Sequence, residues 1–210
     1  MASYCTLAEL KNWLMPNLAS TDLSQDASLG VAITAASRLI ERYTGRRFYS
    51  TSADETLYFT ASQADVLMPR DLGVDILSIT TLYTDEDGDR TFERTWTATD
   101  FDLEPYNAAS EYKPFTHVRV TPDGNYTFPT GRKGIKLAGR FGFCTQANIP
   151  LWAPEVRDAC LMQASRLFER RVTPMGAGGS DVFGQFRVAP GRLDDDIAQL
   201  LGGYLRELAY

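Results

Sequence analysis

The chain has little histidine and little cysteine. His117 is the only histidine among 210 residues, which removes any zinc site built on two imidazoles and any paired-histidine chemistry. Cys5, Cys144 and Cys160 are the only cysteines. They are odd in number and far apart, and no two stand at metal-ligand spacing. The expectation is free thiols in a reducing compartment rather than a disulfide framework. No run of about 18 apolar residues occurs, so no membrane-spanning helix is expected. The N-terminal Met-Ala-Ser-Tyr-Cys-Thr has no basic stretch followed by an apolar core, so no signal peptide is expected. Basic excess is also missing: 21 Lys and Arg face 27 Asp and Glu, a formal net charge of −6. Wrapping nucleic acid needs clustered Lys and Arg. An acidic wall that lets DNA slide past is compatible with this charge. No internal repeat is present.

What is present is ordinary globular composition, 44% hydrophobic and 23% charged, enough for one substantial core or one core with a satellite. Thr6 and Glu9 form a Thr-x-x-Glu capping-box pattern. Leu7, Leu10, Trp13 and Leu14 follow at helical spacing, and Pro16 ends the segment. Asn17 to Ser24 reads as a loop. A second helix is predicted from about Asp26 to Tyr43. Its stripe is Leu29, Ile33, Ala36, Ile40 and Tyr43, widened by Ala32 and Leu39, with Arg38, Glu41 and Arg42 on the outer face. Gly45 is placed to terminate it in a left-handed conformation.

From Arg47 to about Thr145 the texture is Thr, Tyr, Phe and Val punctuated by turn residues. Strands are expected at Glu55–Phe59, Ile76–Tyr83, Phe92–Ala98, His117–Thr121 and Gly134–Phe143. Turns are expected at Asp87-Gly88, Asp123-Gly124 and Thr130-Gly131. Glu104 to Pro114 reads as a long loop. Helical character returns at Pro154, with Val156, Cys160, Ala164, Leu167 and Phe168 as the buried face and Pro174 beyond its end. A last helix begins at Asp194 or Asp195, capped by Asp194-Asp195-Asp196. Ile197, Leu200, Leu201, Tyr204, Leu205 and Leu208 line one face. Gly202-Gly203 interrupts it, which is explained if close packing against another chain needs them. The fold class is therefore α+β: a small helical bundle from residues 1–46 and 146–210, enclosing an inserted antiparallel β domain, residues 47–145. No single helix can bury its stripe alone, so the helices are expected to pack together.

The residues that could carry chemistry do not assemble into a motif. Asp85, Asp87 and Asp89 match the first, third and fifth positions of a calcium loop. Arg90 and Trp96 stand where Gly and Glu are required, and the flanks read as strands, so this is a hairpin turn. Met175 to Ser180 lacks the lysine of a phosphate loop and is a flexible loop. His117 with Asp100 or Asp102 lacks a nucleophile elbow, and Cys160 falls on an apolar helix face as a core thiol. Asp65/Asp71 and Asp100/Asp102 read as surface acids. No catalytic, cofactor or metal residues are assigned. Arg46-Arg47 and Arg170-Arg171 each close a predicted helix. There they serve either the helix dipole or contacts with other subunits.

Three phrases carry a resemblance. Ala35-Ala36-Ser37-Arg38-Leu39-Ile40-Glu41-Arg42-Tyr43-Thr44-Gly45-Arg46-Arg47-Phe48 resembles the second-helix signature of tailed-phage head–tail connector (adaptor) proteins. Ile149-Pro150 through Pro154-Glu155-Val156-Arg157-Asp158-Ala159 to Arg166-Leu167-Phe168-Glu169-Arg170-Arg171 is similar to that family's third helix, preceded by a closing strand like Arg140-Phe141-Gly142-Phe143. Leu200-Leu201 with Tyr204 is similar to its closing phrase. The resemblance implies a virion protein of the neck, assembled in the host cytoplasm. It implies a homo-oligomeric ring, twelve-fold in the family, between the portal protein and a stopper or tail protein, with genomic DNA passing through unbound. It implies no cofactor, catalysis or membrane. The contact residues expected on this reading are Arg46, Arg47, Arg170, Arg171, Tyr204, Leu205 and Tyr210. The residues also leave open a β-rich module recognising a carbohydrate or protein at a host surface, and a small hydrolase built on the β region.

Overall fold

A computed structural model describes residues 2–14, 23–69, 73–124, 126–172 and 193–206, without the side chains of Arg171 and Val172. The expectations for Pro16, residues 17–22, Asp71, Pro174, Met175–Ser180, Leu208 and Tyr210 lie outside the described residues. The elements run α1 (Leu7–Leu14), α2 (Asp26–Thr44), β1 (Tyr49–Ser50), β2 (Glu55–Phe59), β3 (Val66–Leu67), β4 (Ile76–Thr84), β5 (Arg94–Trp96) and β6 (Phe101–Glu104). They continue with β7 (His117–Val120), β8 (Ile135–Phe141), β9 (Cys144–Thr145), α3 (Ile149–Trp152), α4 (Pro154–Val172) and α5 (Asp195–Leu200). The chain forms two compact units, residues 1–45 with 153–206, and residues 46–152.

In the helical unit, α1 begins as its pattern requires. The Thr6 amide donates to the Glu9 carboxylate at 2.7 Å, and the Glu9 amide donates to the Thr6 hydroxyl at 3.2 Å. Two orphan donors of the first turn are thus satisfied. α2 packs against α4, burying Leu29, Ile33, Ala36 and Ile40 with Val156, Ala159, Cys160 and Ala164; Leu10, Ile197 and Leu201 are buried in the same unit. The inward stripe of α2 ends on Thr44 rather than Tyr43, which is 38% exposed. Four residues beyond Ile40 is the position that stays on its face. Gly45 closes α2 at φ 68°, its amide donating to Glu41 O at 2.8 Å. Arg38 and Glu41 are not on an open face. The N-terminal strap Ala2–Cys5 lies over them: Arg38 donates to Ala2 O at 2.8 Å, the Tyr4 amide to Ser37 Oγ at 3.1 Å, and the Tyr4 hydroxyl to Glu41.

The last helix is shorter than its apolar pattern predicts. It stops at Leu200, and Gly202–Tyr204 forms a 3₁₀ turn. Two adjacent glycines weaken a helix by about 1 kcal/mol each relative to alanine, and a Cβ on either would meet nothing within 4 Å. Within the described residues these glycines end a helix rather than admit a close contact.

The β unit is built on two antiparallel sheets, ordered β2-β8-β4-β5 and β3-β7-β6. β8 shows why they face each other: Ile135, Leu137, Gly139 and Phe141 are buried, while Lys136, Ala138 and Arg140 alternate outward. The shared core includes Phe59, Leu67, Ile76, Leu82, Trp96, Val118 and Phe128. Trp96 stacks on Phe128 at 4.8 Å, and its indole N–H donates to Thr84 Oγ1 at 3.0 Å. The expected strands at 55–59, 76–83 and 117–121 form almost as drawn, whereas Phe92–Ala98 contracts to Arg94–Trp96 and Gly134–Phe143 to Ile135–Phe141. β1, β3, β6 and β9 carry two to four residues each, too short for a legible alternation.

Two features add to the expected β domain. β1 and β9 pair in parallel, so the unit is not wholly antiparallel. Gly142 makes this crossing possible: at φ 138°, a Cβ there would stand 2.3 Å from Tyr49 O. The compact unit spans residues 46–152. The chain after β9 turns into α3, which packs on β9, and the Trp152 ring meets Tyr112 at 6.1 Å.

Candidate assembly surface

The arginine doublets were the sharpest expected contact residues, and the structure gives each described member an internal partner. Arg46 donates from Nη1 to both Asp75 oxygens, at 2.8 and 3.0 Å, with the side chains only 10% and 1% exposed. Arg47 grips Glu55 in a two-point fork at 2.7 and 3.1 Å. The Arg47 hydrogen bond holds the Glu55 carboxyl below the usual carboxylate range, with Thr51 assisting. Both arginines therefore pair within the β unit.

In the helical unit, Arg170 donates to Asp194 at 3.2 Å. Arg166, which the sequence did not single out, reaches Asp194 at 2.8 Å and both oxygens of Asp196 at 2.9 and 2.6 Å. Asp194 stands at the N-cap position of α5 but makes no side-chain cap bond, because α4 holds its carboxylate. The Arg166 hydrogen bond brings Asp196 down to about 2. The Tyr204 hydroxyl donates to Glu155 at 2.5 Å. Leu205 is 41% exposed. The Arg171 side chain and Tyr210 lie outside the described residues.

The helical unit also carries an open apolar cleft of about 360 Å³ between α2 and α4, lined by Ala27, Ser28, Val31, Ala32, Leu167 and Phe168. Val31 is 70% exposed. Leu167 and Phe168 were expected in the buried face. They lie instead half-exposed at the cleft, because α4 carries apolar residues round more of its circumference than α2 covers. Trp13 and Leu23 are exposed on the same unit, at 53% and 71%.

On the β unit, the outer face of the four-stranded sheet aligns Tyr58, Lys136 and Tyr83 across β2, β8 and β4. Lys136 lies 5.3 Å from the Tyr83 ring centroid and 5.7 Å from that of Phe92, and Lys133 lies 5.6 Å from that of Tyr58. The acidic run forms the β4–β5 hairpin loop, as expected. Asp85, Asp87, Asp89 and Glu93 bring one oxygen each within 4.8 Å of the others. Three of these carboxylates already cap the turn: Asp85 accepts from the Gly88 and Arg90 amides, Asp87 from Asp89, and Asp89 from Thr91. The Thr91 amide holds Asp89 below its ordinary range. His117 shares a hydrogen bond with the Thr116 hydroxyl at 2.8 Å, and Asp100 caps Thr97 at 2.6 Å. Among the described residues, no helix is long and apolar enough to cross a membrane.

No protein-family model matches this sequence, and no curated protein sequence matches it. Solved structures do. A chain from the neck of an empty gene transfer agent (GTA) particle, computed with C6 symmetry, superposes with a TM-score of 0.58 at 18% identity, covering 99% of this chain and 92% of that one. A chain from the virion of a native GTA particle gives 0.57 at 17% identity, with the same coverage. A chain from the neck of a native particle, computed with C12 symmetry, gives 0.51 at 16%, covering 100% and 97%. Along essentially its whole length, the chain has the fold of chains found in the neck and virion of gene transfer agents.

Proposed function

We propose that this protein is a structural component of a virion neck: a head–tail adaptor that forms a ring beneath the portal and extends the DNA channel towards a stopper or tail protein. The observation that carries this reading is the full-length likeness to neck chains at 99% and 92% mutual coverage, which leaves neither unit unaccounted for. The C6 and C12 symmetries belong to the particles holding those chains; a twelve-fold ring is the corresponding proposal here. A ring repeats one heterologous contact until it closes. The apolar cleft around Val31 and Phe168 suits one side of that contact, covered by the neighbouring subunit. Arg46, Arg47, Arg170, Arg171, Tyr204, Leu205 and Tyr210 remain proposed contact positions. Of these, Leu205 offers exposed apolar surface. An acidic chain lining the channel repels DNA and keeps it from sticking during passage.

The test is co-expression with the cognate portal protein, followed by sizing and electron microscopy. We expect a ring stacked on the portal. Val31→Asp should abolish the ring while leaving the far-ultraviolet spectrum and melting temperature of the free protein close to wild type. Failure to bind the portal, together with absence of the chain from purified particles, would sink the proposal.

One observation favours a second reading, a β-rich module that binds a host-surface carbohydrate. Tyr58, which is exposed, and the half-buried Tyr83 and Phe92 interleave with Lys133 and Lys136, and an exposed aromatic ring can stack on a sugar face. Retention on a glycan array, lost in Tyr58→Ala, would support it.

A further inference from the structure

Cys5 and Cys160 stand 155 positions apart in the chain, yet their sulfurs lie 3.2 Å from each other, both buried. Cys5 ends the N-terminal strap, and Cys160 sits mid-way along α4. Ser37 of α2 completes the group, its Oγ 3.5 Å from the Cys160 sulfur and accepting the Tyr4 amide. Strap, α2 and α4 therefore converge on one pair of thiols. A disulfide needs the sulfurs at ~2.05 Å, so closing the gap asks for a shift of about 1 Å. The strap has no helix or strand of its own and is held to α2 by side-chain hydrogen bonds, so it can move that far more easily than a helix can.

We propose that Cys5 and Cys160 are a covalent modification site: on exposure to a peroxide they form a disulfide that staples the N-terminal strap to α4. The Cys160 thiolate attacks one peroxide oxygen, the O–O bond breaks, and the departing oxygen leaves as water after taking a proton. The Cys160 sulfenic acid so formed is attacked by the Cys5 sulfur. The S–S bond forms, hydroxide leaves from the Cys160 sulfur, and the Cys5 proton converts it to a second water. Two thiols and hydrogen peroxide give one disulfide and two waters; the sulfurs lose the two electrons that the peroxide gains. Roles within the pair follow from their hydrogen bonds. The hydrogen bond within the pair pushes Cys160 down and, with burial, pushes Cys5 up, while Ser37 gives its own proton to Ile33 O. Cys160 is thus the better nucleophile of the two and Cys5 the resolving sulfur; because Cys160 is fully buried, peroxide reaches it only when the strap shifts away from α4. Among the described residues, Cys144 has no such neighbour. Its sulfur donates to Phe48 O at 3.4 Å, and burial pushes it up to about 12.

The biological occasion rests on the neck reading: a particle released from a cell passes from a reducing to an oxidising medium. The bond itself does not depend on that reading. In the test, the full chain is purified reduced, freed of reductant, treated with hydrogen peroxide and alkylated under denaturing conditions. We expect an intact mass showing loss of two hydrogens, one alkylated thiol at Cys144, and a linked Cys5–Cys160 peptide. We also expect a rise in melting temperature of roughly 5–10 °C that dithiothreitol reverses. Cys144→Ser should form the same link. Cys5→Ser should not, and should leave Cys160 open to further oxidation. Three alkylatable thiols after peroxide, or a link through Cys144, would overturn the proposal. Non-reducing maps of purified particles separate the two claims. Absence of the chain from particles defeats the neck reading and leaves the peroxide result standing. Presence of the chain with unlinked Cys5 after peroxide treatment defeats the staple alone.

Discussion

The Arg46–Asp75 pair shows what a single residue can conceal. Asp75 is 1% exposed at its side chain and forms an ion pair with the guanidinium at 2.8 Å. Removing one member of a buried pair leaves an uncompensated charge, at a cost of about 3 kcal/mol or more. Arg46→Ala should therefore destabilise the protein by about 3 kcal/mol in urea unfolding. Arg47→Ala should cost less, about 1 kcal/mol, because Glu55 is 27% exposed at its side chain and can hydrate. Equal losses would contradict this ranking. The doublet itself was legible, and so was its place after a helix. Its partners were not, because no spacing rule joins Arg46 to a residue 29 positions away.

At the scale of elements, legibility followed range. The α1 cap formed as written because Thr6 and Glu9 are one turn apart and both bonds are local. Gly45 ended α2 for the same reason. The fate of α5 was decided elsewhere, by adjacent glycines and by α4 arginines that take up Asp194 and Asp196. This gives α5 a defined acid response. The carboxyl of Asp196 is lowered from 3.8 to about 2, so the folded state binds its proton less readily than the unfolded chain does. The resulting stabilisation is fully present above about pH 4 and disappears as pH falls through about 2. A carboxyl-carbon NMR titration should give Asp196 a midpoint near 2, and Arg166→Ala should return it towards the ordinary aspartate value. An unperturbed midpoint in the wild-type protein would show that the Arg166 fork does not persist in solution.

At the scale of the whole molecule, net charge and fold are the two statements that matter. With a formal charge of −6, the protein should not retard linear duplex DNA in a gel at about 50 mM salt, where electrostatic binding is strongest. A shifted band that weakens steeply with salt would show that a local basic surface outweighs the total.

The sequence by itself determined that helical segments at both ends bracket a strand-rich block. Periods of 3.6 and 2, caps and turn residues act within a few positions and need no knowledge of the rest of the chain. The tertiary structure alone decided which charges are buried against which, that Leu167 and Phe168 line an open cleft, and that two cysteines 155 positions apart become neighbours. These depend on how completed elements pack. An amphipathic stripe says only that a face wants cover, and the width of the covering helix settles how much of it is left bare.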